Sequence, residues 1–161
     1  YKYDIHDRYW AIYGDNNDYD WKQLNVSVPT DSLVQNNYEP PAIVMSTAVT
    51  PVNASAALVI SWEPQDQNEQ FYVYMHFTEI QVLAKNQTRQ FIITQNGKPW
   101  YHPFSPKYLQ VITIYSTVAT SGEEIKYSLE MTENSNLPPI INAMEIYKVK
   151  DFQQSDTFRG D

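Results

Sequence analysis

Phe71-Tyr72-Val73-Tyr74-Met75-His76-Phe77 is the stretch on which the fold turns. Successive side chains of an extended chain point to opposite faces. Phe71, Val73, Met75 and Phe77 therefore share one side, and Tyr72, Tyr74 and His76 share the other. Both sides are bulky, so one packs a core while the other meets a loop, a partner or a ligand. The same period of two recurs outward from this segment. Leu58, Ile60 and Trp62 alternate with Val59, Ser61 and Glu63, and Ile125, Tyr127, Leu129 and Met131 alternate with Lys126, Ser128 and Glu130. Further strands are predicted over 43–49, 89–95, 109–116 and 141–149. No segment keeps an i, i+3, i+4, i+7 apolar pattern for three turns, so long helices are not expected.

Turn chemistry separates these runs. Asn96-Gly97 is a tight hairpin signal and Ser121-Gly122 a weaker one. Pro40-Pro41, Pro64, Pro99, Pro103, Pro106 and Pro138-Pro139 punctuate the connections, where a missing N–H costs nothing. Seven or more strands spaced roughly 10–16 residues apart predict an all-β fold, a two-sheet antiparallel β-sandwich or jelly roll.

Composition limits function before any motif does. The chain has 161 residues, a size that suits one domain with its own core, and no cysteine, which excludes disulfides and thiolate zinc sites. A net charge of −8 argues against nucleic acid, which is held by clustered Lys and Arg. With 13 tyrosines and 4 glycines, the composition is that of a folded β-rich domain. The sequence opens at Tyr1 without an initiator methionine, as expected of a processed chain or a piece of a longer one. No apolar run approaches the roughly 18 residues that cross a bilayer, so any anchor is expected outside this chain.

The usual catalytic constellations do not occur. There is no Gly-x-Ser-x-Gly elbow, phosphate-cradling glycine loop or His-Glu-x-x-His. His6, His76 and His102 have no second histidine at metal-ligand spacing. Asp15, Asp18 and Asp20 miss the EF-hand register, because Tyr19 takes the third ligand position, and read as a solvated acidic loop. Nothing in the sequence places Glu123-Glu124, or Glu79 with Glu145, across a common cleft as glycoside hydrolysis requires. Arg159-Gly160-Asp161 reads as an accidental tripeptide. No metal and no cofactor is expected. Asn25, Asn53 and Asn86 each open an Asn-x-Ser/Thr triplet competent for N-glycosylation.

Aromatic surface remains. Tyr72, Tyr74 and His76 are candidate ligand contacts, since tyrosine rings stack on sugars and their hydroxyls bond sugar or peptide groups. Trp100-Tyr101, after Asn96-Gly97 and between Pro99 and Pro103, reads as a second, loop-borne aromatic pair.

Several motifs in fixed order carry a family resemblance. Asp7-Arg8-Tyr9-Trp10 comes first, followed by the run from Val44 to Pro51 and a strand ending in Trp62. His76-Phe77-Thr78-Glu79-Ile80, Thr88-Arg89-Gln90-Phe91, Asn96-Gly97 and Pro103-Phe104-Ser105-Pro106 come next, and the run from Leu137 to Tyr147 closes the series. Together, from about Tyr3 to Phe152, they resemble the malectin-like ectodomain of plant leucine-rich-repeat receptor kinases, more narrowly the second of its two modules. The resemblance implies a glycosylated β-sandwich outside the plasma membrane, ahead of leucine-rich repeats, one transmembrane helix and a cytoplasmic kinase. Malectin itself holds a diglucose unit through loop aromatics, one pair of which falls just after the positions of Phe77-Thr78-Glu79. Here Ile80, Gln81 and Val82 follow, and the loop near Thr50-Pro51 also lacks a ring. Malectin's sugar site is therefore not expected to persist, with Gln81 left as the polar candidate, while Glu79 and Glu145 match framework positions.

The expectation is a malectin-like sandwich over 1–152 and a polar tail or linker start over 153–161. It is expected to act without catalysis, as the extracellular recognition module of a single-pass receptor, binding a cell-wall or microbial carbohydrate or a secreted peptide. The alternative is a docking module for the neighbouring malectin-like module or a co-receptor. The acidic charge favours neutral sugars or basic peptides over polyanions, unless Lys85, Arg89, Lys98 and Lys107 gather on one face.

Overall fold

A computed structural model describes residues 4–11 and 20–150. The expected polar tail, Asp15, Asp18 and Arg159-Gly160-Asp161 lie outside the described residues.

Alternation becomes nine strands among the described residues, in the order β1 (Trp21–Asn25), β2 (Thr47–Pro51), β3 (Leu58–Trp62), β4 (Phe71–Phe77), β5 (Phe91–Gln95), β6 (Lys98–Phe104), β7 (Ile112–Tyr115), β8 (Ile125–Met131) and β9 (Ala143–Lys148). One sheet runs β3-β8-β5-β6 and another β7-β4-β9, while β1 and β2 form a ribbon. Every pairing within these sheets is antiparallel. A bridge between Val49 and Ile141 joins the ribbon to the chain entering β9. The result is the two-layer antiparallel β-sandwich that the alternation predicted.

The core is what the inward-facing residues place between the layers. Val73, Met75 and Phe77 of β4 meet Leu58 and Ile60 of β3, Phe91 and Ile93 of β5, and Ile125, Tyr127 and Leu129 of β8 in one buried cluster. Each such large side chain contributes about 1.5–3 kcal/mol by leaving water. Phe104 meets Phe77 and Phe91 edge to face, and Phe77 and Phe91 are tilted against each other, with ring centroids 4.6–5.7 Å apart.

The β5–β6 hairpin turns on Asn96 and Gly97, whose φ values of 46° and 75° give the two left-handed residues a type I′ turn needs. Glycine adopts such a conformation freely, and asparagine is among the few residues that tolerate it.

Two expectations need correction. The strand predicted over 43–49 begins only at Thr47, because Ala42–Met45 forms one helical turn, α1. Pro41 stands at its N-cap with its carbonyl taken by Val44 and Met45 N–H groups, and the apolar run Ile43-Val44-Met45 lacks a polar partner to fix a period of two. Trp100-Tyr101 lies in strand β6 rather than a loop. Pro99 and Pro103 sit within that strand because it is the edge of its sheet, and the register slips on either side of Ile93 where they cannot donate.

Candidate functional site

The sheet β7-β4-β9 turns one face into the core and one away from it. The register places Tyr74 opposite Tyr115 and Glu145, His76 opposite Thr113 and Ala143, and Tyr72 opposite Tyr147. These residues form the outer face, which divides into two unlike halves.

The half around His76 is enclosed. Residues 4–10 lie against it, held by a polar network. Arg8 Nε and Nη2 donate to the two oxygens of Asp4 at 2.8 and 3.1 Å, and Nη1 donates to Glu145 Oε1 at 2.9 Å. Two further guanidinium contacts reach the backbone carbonyls of Tyr38 and Glu39 at 3.1 and 2.6 Å. Trp10 Nε1 donates to Asp4 at 2.6 Å, and its ring meets His76 edge-on at 6.4 Å. His76 is 0% exposed. Its Nε2 donates to Glu145 at 2.7 Å, which leaves Nδ1 to accept the Thr113 hydroxyl proton at 2.8 Å. Asn36 in turn donates to Thr113 Oγ1 at 2.7 Å.

These contacts govern the carboxyls. Burial opposes ionisation of Asp4, but hydrogen bonds from Arg8, Trp10 and the His6 N–H outweigh it and hold the group well below the usual carboxylate range. Glu145 is lowered in the same way, burial being outweighed by His76, Tyr147 and Arg8.

The other half is open and built of tyrosine. Tyr74 and Tyr115 stack nearly parallel, centroids 5.4 Å apart at 15°. Tyr38 leans on both at 5.6 Å, and Tyr147 meets Tyr74 edge-on at 5.6 Å. Tyr115 and Tyr147 remain 44% and 46% exposed, with Tyr72 beside them at 36%. Tyr147 donates its hydroxyl to Glu145, and burial together with that bond pushes the phenol up to about 12. Burial and a hydrogen bond with Tyr115 raise Tyr38 as well.

The candidates named from sequence thus separate. Tyr72 and Tyr74 belong to the open half, and His76 to the enclosed half. Trp100 packs edge-on over Tyr127 at 5.1 Å and Tyr101 over Phe104 at 5.5 Å, both half-buried on the other sheet. Gln81 lies at one end of the sandwich, lining a cleft of about 250 Å³ with Lys22, Thr50, Gln87, Arg89 and Pro138. Among the described residues no aromatic ring lines this cleft. Its floor is fixed by buried Arg89, which donates to Glu79 at 2.7 Å, to Gln81 Oε1 at 3.0 Å and to the Pro138 carbonyl. Glu79 and Glu145 therefore each hold a buried cation-bearing network. Asn25, Asn53 and Asn86 are exposed, and none lies on β4, β7 or β9.

Tyr38, Tyr115 and Tyr147 escaped the sequence reading as site residues. Alternation in 109–116 and 141–149 puts Tyr115 and Tyr147 on definite faces, but only the strand pairing shows that those faces adjoin Tyr74.

The described residues thus form a β-sandwich with an open aromatic face on one layer. Family comparison makes this specific. The malectin-like domain model matches residues 1–149, and the chain belongs to the malectin-like family. Its relatives in Arabidopsis thaliana include the probable LRR receptor-like serine/threonine-protein kinase PAM74, 42% identical over 163 residues, and the LRR receptor-like serine/threonine-protein kinase IOS1, 40% identical over 162. The matches cover 100% and 99% of this chain but 18% of each relative, so the chain spans under a fifth of their length. Among solved structures, the ANXUR1 extracellular domain from Arabidopsis thaliana shares the fold with a TM-score of 0.63 at 19% identity, covering 81% of this chain and 39% of that one. A complex of the plant peptide RALF23 with FER and LLG2 matches at TM-score 0.55 and 18% identity, over 71% of this chain and 34% of the other. A Bacteroides uniformis β-glucuronidase matches at 0.55 and 14%, over 80% of this chain and 13% of the enzyme. These distant likenesses concern the fold alone.

Proposed function

We propose that this chain is a ligand-recognition module in the extracellular part of a plant receptor kinase, contributing binding and no catalysis, with the open tyrosine face as its contact surface. The observation that carries the reading is the division of the outer sheet face. One half is closed by an ion network, and the other leaves Tyr72, Tyr115 and Tyr147 partly exposed. Family membership supports placement outside the cell, as one module of a longer chain, with the membrane anchor elsewhere. Among the described residues no helix is long and apolar enough to cross a membrane. The three exposed sequon asparagines suit a glycoprotein whose sugars leave this face clear. Carbohydrate and secreted peptide are the two ligand classes. A peptide gains support from the neighbour solved with RALF23, and a polyanion loses it because Arg89 is buried against Glu79.

A second reading, docking to a neighbouring malectin-like module or co-receptor, draws on an apolar groove of about 600 Å³ lined by Trp10, Trp21, Ile43, Val49, Met144 and Ile146. A glycan array run beside a pull-down with the partner ectodomain modules separates the two. Retention of a soluble glycan or peptide ligand with weak partner binding supports recognition. Partner binding alone supports docking.

A further inference from the structure

We infer that the open tyrosine half docks a basic peptide segment, whose arginine or lysine side chains sit against Tyr115 and Tyr147 and the carboxylates at the border of the face. This deepens the recognition reading above and rests on it. The first argument is ring geometry. A pyranose stacks on a free aromatic face. Tyr74 has none to give, since Tyr115 is stacked on it while Tyr38 and Tyr147 close in at 5.6 Å. Tyr74 therefore offers no ring to a sugar, and the phenolic oxygens gathered around it accept hydrogen bonds from cationic donors.

The second argument is charge complementarity. Arg8 borders the face and is held by both oxygens of Asp4, in a pair that is largely enclosed. Glu145, bonded to the same Arg8, and exposed Glu39, 3.7 Å from His6 Nε2, add two carboxylates to this border, so carboxylates outnumber guanidinium groups beside the tyrosines. Glu145 Oε2 is the acceptor of the Tyr147 hydroxyl, which links the exposed ring to the carboxylate behind it. A cation over Tyr147 would meet a ring face and a fixed negative charge together, whereas an anion would meet repulsion. The whole chain carries −8, which steers the same class of partner.

The test is fluorescence anisotropy on the intact chain at roughly physiological ionic strength, where diffuse attraction is largely screened. The probe is a short acetylated and amidated peptide alternating arginine and glycine. Matched peptides carry citrulline or glutamate instead, and a cello-oligosaccharide serves as neutral competitor. The arginine peptide is expected to bind at least about tenfold more tightly than the citrulline one, with salt weakening it. Tyr115→Ala, Tyr147→Phe and Glu39→Gln are each expected to weaken it severalfold. Glu63→Gln, an equal charge change outside the face, is expected to leave it unchanged. Melting curves of each variant establish that it is folded. Equal effects of Glu39→Gln and Glu63→Gln, no effect of Tyr147→Phe, or displacement by the sugar would overturn the inference. Binding of sugar without the arginine peptide overturns the inference and leaves the recognition reading standing. Failure of the peptides, the glycan array and the partner modules together removes both.

Discussion

The two halves of the outer β7-β4-β9 face are made from adjacent residues of the same strands, yet they have opposite characters. Around His76 the sheet carries groups that ionise or donate, and residues 4–10 fold over them because Arg8 and Asp4 complete the network. Two residues before it on β4, Tyr74 is packed by the rings of Tyr38, Tyr115 and Tyr147, and the face stays open. The difference shows what closes a sheet face. A half-buried charge must be paired, and the pairing segment covers the surface. An aromatic cluster satisfies much of its own area and tolerates water on the rest.

The largest expected effect breaks the enclosed half. Glu145→Ala leaves Arg8 and His76 without their shared acceptor, and urea unfolding is expected to show a loss of about 3 kcal/mol, as for other buried pairs cut on one side. A loss under roughly 1 kcal/mol, the size of an exposed ion pair, would erase the distinction between the halves. Acid gives the next effect. Asp4 and Glu145 are lowered on folding, so the unfolded chain binds more protons as pH falls through the ordinary carboxylate range. The stability they contribute is present above about pH 5 and lost progressively below it. Urea midpoints measured at descending pH are expected to fall, and to fall less steeply in Asp4→Asn; parallel curves would show that Asp4 is not anchored.

The open half is expected to respond weakly. Tyr115→Ala removes stacking at an exposed site and is expected to cost about 1 kcal/mol or less in the same assay. A cost near that of Glu145→Ala would make the tyrosines structural. The smallest effect lies in the core, as a control for both halves. The Tyr127 hydroxyl is buried with no hydrogen-bond partner among the described residues, and burial raises its pKa. Tyr127→Phe is expected to be neutral or to stabilise by up to about 1 kcal/mol, read from the thermal midpoint.

Much of this was legible in the residues. Alternation in Phe71–Phe77 and Ile125–Met131 gave the inward faces, and Asn96-Gly97 gave a hairpin, because both depend on local geometry alone. Strand β6 was hidden by Pro99 and Pro103, which are admissible because it is an edge strand of its sheet among the described residues, a fact about neighbours rather than sequence. Tyr72 and Tyr74 were visible for the same local reason as the strand. Their association with Tyr115 and Tyr147, and the separation of His76 from them, depend on register and on Arg8 reaching Glu145 across 137 positions of the chain.

The central claim, that the open tyrosine half is the recognition surface, is tested most directly by hydrogen-exchange mass spectrometry of the intact chain with saturating arginine peptide. The account predicts slowed exchange in β7, β9 and the turn carrying Tyr38, with the cleft segment 81–89 unchanged. Slowing confined to 81–89, or none in β7 and β9 while the peptide is bound, would contradict it.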